Sequence, residues 1–121
     1  MKVDRRKVYL KYSGHCAYCG KIITIEEMQV DHIHPQFLHY HLHGTGMDIN
    51  DYENLNPSCR YCNKWKSTHK VEEFRHEIKM QIERLRKYSA SFRLAEKYSL
   101  IRETGQDVVF YFEKHPENLG G

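Results

Sequence analysis

Long apolar runs are missing from this 121-residue chain. The longest, Val108-Val109-Phe110-Tyr111-Phe112, holds five residues, against the roughly 20 that a bilayer-crossing helix needs. A helical membrane protein is therefore excluded. The opening Met1-Lys2-Val3-Asp4-Arg5-Arg6-Lys7 lacks the apolar core of a secretory signal, so an intracellular, cytoplasmic protein is expected, with a phage or mobile element among its conceivable sources. Internal repeats and low-complexity tracts are absent. A strong charge excess is absent too: the net charge is +3, and four zinc-bound thiolates would bring it to about +1. Such a balance does not by itself demand nucleic acid. Acid is missing locally, however. Between residues 54 and 71 the charged side chains are Arg60, Lys64, Lys66 and Lys70, and a second basic group (Lys2, Arg5, Arg6, Lys7, Lys11) faces only Asp4. Charge alone reads equally as a phosphate-facing footprint and as two solvated helix faces.

What is present suits one small globular domain. Residues 4–12 read as a short helix capped by Asp4, with Val8, Tyr9 and Tyr12 as its apolar stripe. Ser13-Gly14 ends it. A strand is expected over 28–32, stopped by Pro35, and a second extended piece over 54–57. A helix follows over about 60–69. Apolar positions 71, 74, 78, 82, 85 and 88 make 71–88 the clearest amphipathic helix. Phe92, Leu94, Ala95, Tyr98 and Ile101 suggest a shorter one, and 108–113 reads as a strand. Residues 36–53 follow neither period and hold His39, Tyr40, His41, His43 and Tyr52; a loop of this length in a small domain is usually functional or mobile.

Four cysteines in a chain expected inside the cell point to metal before disulfides. Cys16-Ala17-Tyr18-Cys19 and Cys59-Arg60-Tyr61-Cys62 are two Cys-x-x-Cys knuckles with 39 residues between them. Each can give two thiolates to one tetrahedral zinc, stapling remote segments at a loop-closure cost that metal binding offsets. Buried thiols, a disulfide pair and an iron–sulfur cluster are the competing readings. A closed four-thiolate shell has no open position for substrate, so this zinc is structural.

Chemistry gathers at Val30-Asp31-His32-Ile33-His34-Pro35. Successive strand residues face opposite ways, so Asp31 and His32 can serve a metal and a proton separately. Asp31 offers a hard oxygen suited to Mg²⁺ or Mn²⁺. His32 offers a base that titrates near neutral pH. Asn63, early in the helix after Cys62, offers a second hard oxygen. Taken singly, Asp31 is a turn residue, His32 a structural histidine and Asn63 a surface residue; their weight comes from the flanking knuckles.

Asp31-His32-Ile33-His34-Pro35 followed by Asn54-Leu55-Asn56-Pro57-Ser58-Cys59-Arg60-Tyr61-Cys62-Asn63-Lys64-Trp65-Lys66-Ser67 resembles the HNH endonuclease family, and 9–21 is similar to its zinc-bearing front. The resemblance runs over about residues 5–68. It implies an α+β fold: a ββα-metal (His-Me finger) core stapled by the four-cysteine zinc site, with an added C-terminal helical layer and a short strand. It implies a nuclease core over 1–70 and an extension over 71–121 packed on it. It implies a phosphodiester hydrolase acting on DNA, with His32 as general base, Asp31 and Asn63 holding a catalytic Mg²⁺ or Mn²⁺, and Asn54 tying down the loop that aims the imidazole. Cys16, Cys19, Cys59 and Cys62 would hold Zn²⁺, and Lys66 would contact phosphate beside Arg60, Lys64 and Lys70. Asn63 stands where the family often has histidine; its harder oxygen favours Mg²⁺ or Mn²⁺ over Zn²⁺ or Ni²⁺. The rival reading is a non-catalytic zinc-ribbon module that binds nucleic acid. A homodimer seam along 71–88 is the alternative to burial of that stripe within the monomer.

Overall fold

The computed structural model describes residues 3–35 and 48–116. His39, Tyr40, His41 and His43 lie outside the described residues. By chain contacts the protein divides into two compact units, Met1–Val71 with Val109–Gly121, and Glu72–Val108.

The first unit begins with α1, Arg5–Leu10. Asp4 caps it by accepting from the Lys7 amide at 3.2 Å, and Val8 turns into the core at 1% exposure. Ser13 and Gly14 then adopt positive φ, 53° and 83°, which turns the chain toward the first knuckle. There, Gly20 takes φ +81°, and a side chain on it would meet the Tyr111 ring at 2.8 Å; both facts favour glycine. Arg5 returns from α1 to donate to the carbonyls of Ile25 (2.8 Å) and Met28 (3.0 Å), bracing the entry to the sheet.

The sheet has two antiparallel strands, β1 (Gln29–His32) and β2 (Leu55–Ser58), paired Gln29↔Ser58, Val30↔Pro57, Asp31↔Asn56 and His32↔Leu55. A single turn of 3-10 helix, Tyr52–Asn54, leads into β2. Pro57 has no amide hydrogen to give the ladder, and its carbonyl instead accepts from Ala17 of the knuckle at 2.8 Å. Every residue of β2 is buried. Then α2, Arg60–Lys66, starts on a Cys59 thiol that accepts from the Cys62 amide, and Ser67 ends it at φ 46°. The core between these elements holds Val8, Tyr18, Ile23, Met28, Leu55 and Phe110.

The strand expected over 108–113 does not form. Phe110 leads instead into a short helix, α5 (Tyr111–Lys114). The Val-Val-Phe-Tyr-Phe run has strand-forming side chains, but the Phe110 amide is taken by the Glu113 carboxylate at 2.8 Å. The Tyr111 and Phe112 amides bond to the knuckle carbonyls of Tyr18 (3.0 Å) and Ala17 (2.8 Å). A turn of helix thus docks on a turn of loop.

In the second unit α3 spans Val71–Tyr88 and α4 spans Ala90–Lys97, the latter capped by Ser89. Arg86 clamps Glu96 and Glu103, each at 2.7 Å. The ion pair holds the Glu96 carboxyl below its ordinary range, chiefly through that hydrogen bond. Among the described residues no helix is long and apolar enough to cross a membrane.

Candidate active site and metal centre

The sulfurs of Cys16, Cys19, Cys59 and Cys62 all lie within 4.8 Å of one another, and none is in a disulfide. Tetrahedral zinc with bonds of about 2.3 Å sets its sulfurs about 3.8 Å apart; Cys19 and Cys59 stand at 3.9 Å. Spacing and donor type therefore fit a single zinc ion better than a disulfide pair or a multi-iron cluster. The thiols titrate as a set. A hydrogen bond from Cys62 lowers Cys16 to about 4; the same bond, with burial, pushes Cys62 up. Cys19 is raised, first by burial.

Asp31 is buried at 4% exposure on the face of β1 opposite to His32. Tyr18, from inside the first knuckle, donates its hydroxyl to Asp31 Oδ2. Lys66 Nζ lies 3.2 Å from Asp31 Oδ1 and donates to the His32 carbonyl at 3.1 Å. Burial pushes the Asp31 carboxyl above its ordinary value, against the opposing pull of the Lys66 charge and the Tyr18 hydroxyl. The Tyr18 phenol is held well above its own range, first by burial and then by Asp31, so it remains a proton donor.

The burial of Lys66 corrects one expectation. Its exposure is 0%, and its ammonium points inward to Asp31, so it does not reach a phosphate from this position. A charge removed from water needs a counter-charge, and among the described residues Asp31 supplies it. Arg60 and Lys64 on α2, and Lys70 beyond its end, are exposed and keep this stretch basic without it.

His32 Nε2 is 2.8 Å from Asn50 Oδ1. A carboxamide oxygen only accepts, so Nε2 carries the hydrogen and Nδ1 keeps the basic lone pair. Asn54, buried at 1%, ties the same loop from below. Its Oδ1 accepts from the His34 amide at 2.8 Å, its Nδ2 donates to the carbonyls of His34 (3.3 Å) and Ile49 (2.8 Å), and its own carbonyl accepts from Ile33 at 2.8 Å. Both ends of the histidine's surroundings are thereby fixed to the start of β2.

Residues 16–69 match the sequence model of the HNH endonuclease family. This stretch is an HNH endonuclease domain. The crystal structure of the type II-C Cas9 enzyme from Actinomyces naeslundii is similar at 25% identity, with a TM-score of 0.48. The likeness covers 77% of this chain and 10% of that one, so the chain spans about a tenth of that enzyme's length. Comparison with curated proteins finds no match.

Within the HNH domain, Asn63 precedes Lys66 by three residues and shares its helix face, the face that reaches Asp31. The Asn63 carboxamide makes no hydrogen bond to a described residue. Asn56, opposite Asp31 in the sheet, has a buried Oδ1 with no partner among the described residues, an acceptor that the water shell of a hydrated cation would satisfy. A carboxylate with lone pairs to spare, a carboxamide with no partner among the described residues and an orphan acceptor are all hard oxygens, the donor type that suits Mg²⁺ or Mn²⁺ rather than a softer ion.

The sequence reading missed Tyr18 and Asn50. Tyr18 carried a signal in its place between two ligand cysteines, which fixes its backbone. Asn50, in an aperiodic stretch, carried none. His34 is exposed, and its hydrogen bonds among the described residues are the backbone contacts to Asn54.

Proposed function

We propose that the chain is a metal-dependent DNA endonuclease that hydrolyses phosphodiester bonds. The observation that carries this reading is the pair Asp31 and His32, adjacent on β1 and each fixed by separate partners on opposite faces. His32 Nδ1, its tautomer set by Asn50, takes a proton from water. The water oxygen attacks phosphorus in line with the leaving 3′ oxygen; the bond to that oxygen breaks, the departing oxygen takes a proton from solvent, and a 5′-phosphate and a 3′-hydroxyl result. Asp31 and Asn63 would hold Mg²⁺ or Mn²⁺, which when bound supplies charge neutralisation at the phosphate and the departing oxygen. Asn54 keeps the loop around His32 in register. Arg60, Lys64 and Lys70 present cations to the DNA backbone. Cys16, Cys19, Cys59 and Cys62 would hold a zinc ion that ties the first knuckle to the start of α2, the two elements from which Tyr18 and Lys66 reach Asp31.

A supercoiled-plasmid nicking assay with Mg²⁺ tests the proposal. Wild type nicks; His32→Ala loses at least about 10²-fold while retaining zinc and DNA binding. A His32→Ala protein that nicks at the wild-type rate refutes it and leaves the nucleic-acid-binding zinc ribbon as the better account.

A further inference from the structure

Asp31 has two oxygens and two partners that arrive on different elements. Lys66 comes from α2, which Cys59 and Cys62 anchor, and takes Oδ1 at 3.2 Å. Tyr18 comes from the turn between Cys16 and Cys19 and takes Oδ2. The tyrosine is itself heavily held. Its ring is buried at 3% exposure with the Phe110 and Phe112 rings edge-on at 5.3 and 5.7 Å. Its carbonyl accepts from Tyr111 at 3.0 Å, and Asn56 Nδ2 lies 3.5 Å from its oxygen. That is far more support than a knuckle residue needs merely to fill space.

We propose that Tyr18 is a positioning residue for ion binding: it fixes the rotation of the Asp31 carboxylate and so links the four-cysteine site to the carboxylate that holds the divalent ion. The terminal torsion of an aspartate is broad, and nothing in β1 itself sets it. With Tyr18 on one oxygen and Lys66 on the other, the remaining lone pairs are presented in one direction. Without the hydroxyl, both oxygens are free to turn toward the Lys66 ammonium, and a cation must then displace that contact to bind. Partners that orient a metal ligand typically change affinity by about 10–100-fold.

The inference rests on the nuclease reading of Asp31, and its test separates the two. Tyr18→Phe keeps the ring and removes one oxygen. Mn²⁺ binding to the zinc-loaded protein, without DNA, is followed by electron paramagnetic resonance. The expected result is about tenfold weaker binding, and a nicking rate whose Mn²⁺ requirement rises by the same factor while the rate at saturating Mn²⁺ changes little. Zinc content, and the thiolate absorption of the cobalt-substituted protein, stay at wild-type values. Phe110→Leu, which loosens the ring but keeps the hydroxyl, gives a shift in the same direction and secures the test should Tyr18→Phe fold poorly. Unchanged Mn²⁺ affinity in both variants overturns the proposal and leaves the nuclease reading standing. A wild type that binds Mn²⁺ but does not nick overturns the nuclease reading, and a Tyr18→Phe defect in binding would survive it.

Discussion

Replacing Lys66 with methionine keeps most of the stem and removes the only ion-pair partner of Asp31 seen among the described residues. The pair is buried, with side-chain exposures of 0% and 3%, so solvent screens it little. At 3.2 Å and an effective dielectric near 20, the Coulomb term is about 5 kcal/mol, in line with the roughly 3–5 kcal/mol lost when one member of a buried pair is removed. Protonation limits the loss. Asp31 can take up a proton at pH 7, and for a carboxyl with an unfolded pKa near 3.9 this costs about 4 kcal/mol. The sign of the pH dependence follows. In Lys66→Met the folded carboxyl has a raised pKa and the folded state binds more protons than the unfolded one, so the penalty shrinks by about 1.4 kcal/mol for each pH unit lowered toward 4. Urea unfolding of wild type and variant, with zinc present, at pH 7 and pH 6 measures both. The double variant Asp31→Asn, Lys66→Met should return to within about 1 kcal/mol of wild type. A Lys66→Met penalty below about 1 kcal/mol, or one that does not change with pH, would refute the buried pair and return Lys66 to the surface.

Asn54→Ala removes an acceptor and two donated bonds from the loop at His32; it should cost about 1–3 kcal/mol of stability and about 10²-fold in nicking with zinc content intact, and nicking within threefold of wild type counts against the clamp. Zinc content should fall as the pH is lowered from 7, because protons compete with the ion for four thiols. A chelator-release assay follows the loss, and zinc held undiminished at pH 4 contradicts a four-thiolate site.

The long helix α3 was legible to the residue, because six apolar positions over 71–88 at helical spacing leave no competing period. The cysteine cluster was legible from spacing, since a knuckle's geometry is local even when its partner is remote. Lys66 was not. It sits in an acid-free stretch with Arg60, Lys64 and Lys70, and its counter-charge lies 35 residues away, so local charge pattern assigned it to the surface with the others. Asn50 reaches His32 across 18 residues from a stretch with no periodicity. The 108–113 segment was misread because strand propensity describes a side chain on a pleated surface, whereas here the Tyr111 and Phe112 amides go to the knuckle carbonyls of Tyr18 and Ala17 and the Phe110 amide to the Glu113 carboxylate.

The return of Phe110, Tyr111 and Phe112 to the knuckle makes the helical unit an insertion rather than an appendage. During synthesis the cysteines emerge early, but the aromatic wedge that seats Tyr18 leaves the ribosome only after all of α3 and α4. The HNH half is therefore completed by a segment that follows the whole helical unit in the chain. A version trimmed to the first 71 residues would keep every proposed ligand and lose the wedge, whereas a short linker bridging 71 to 109 would keep both.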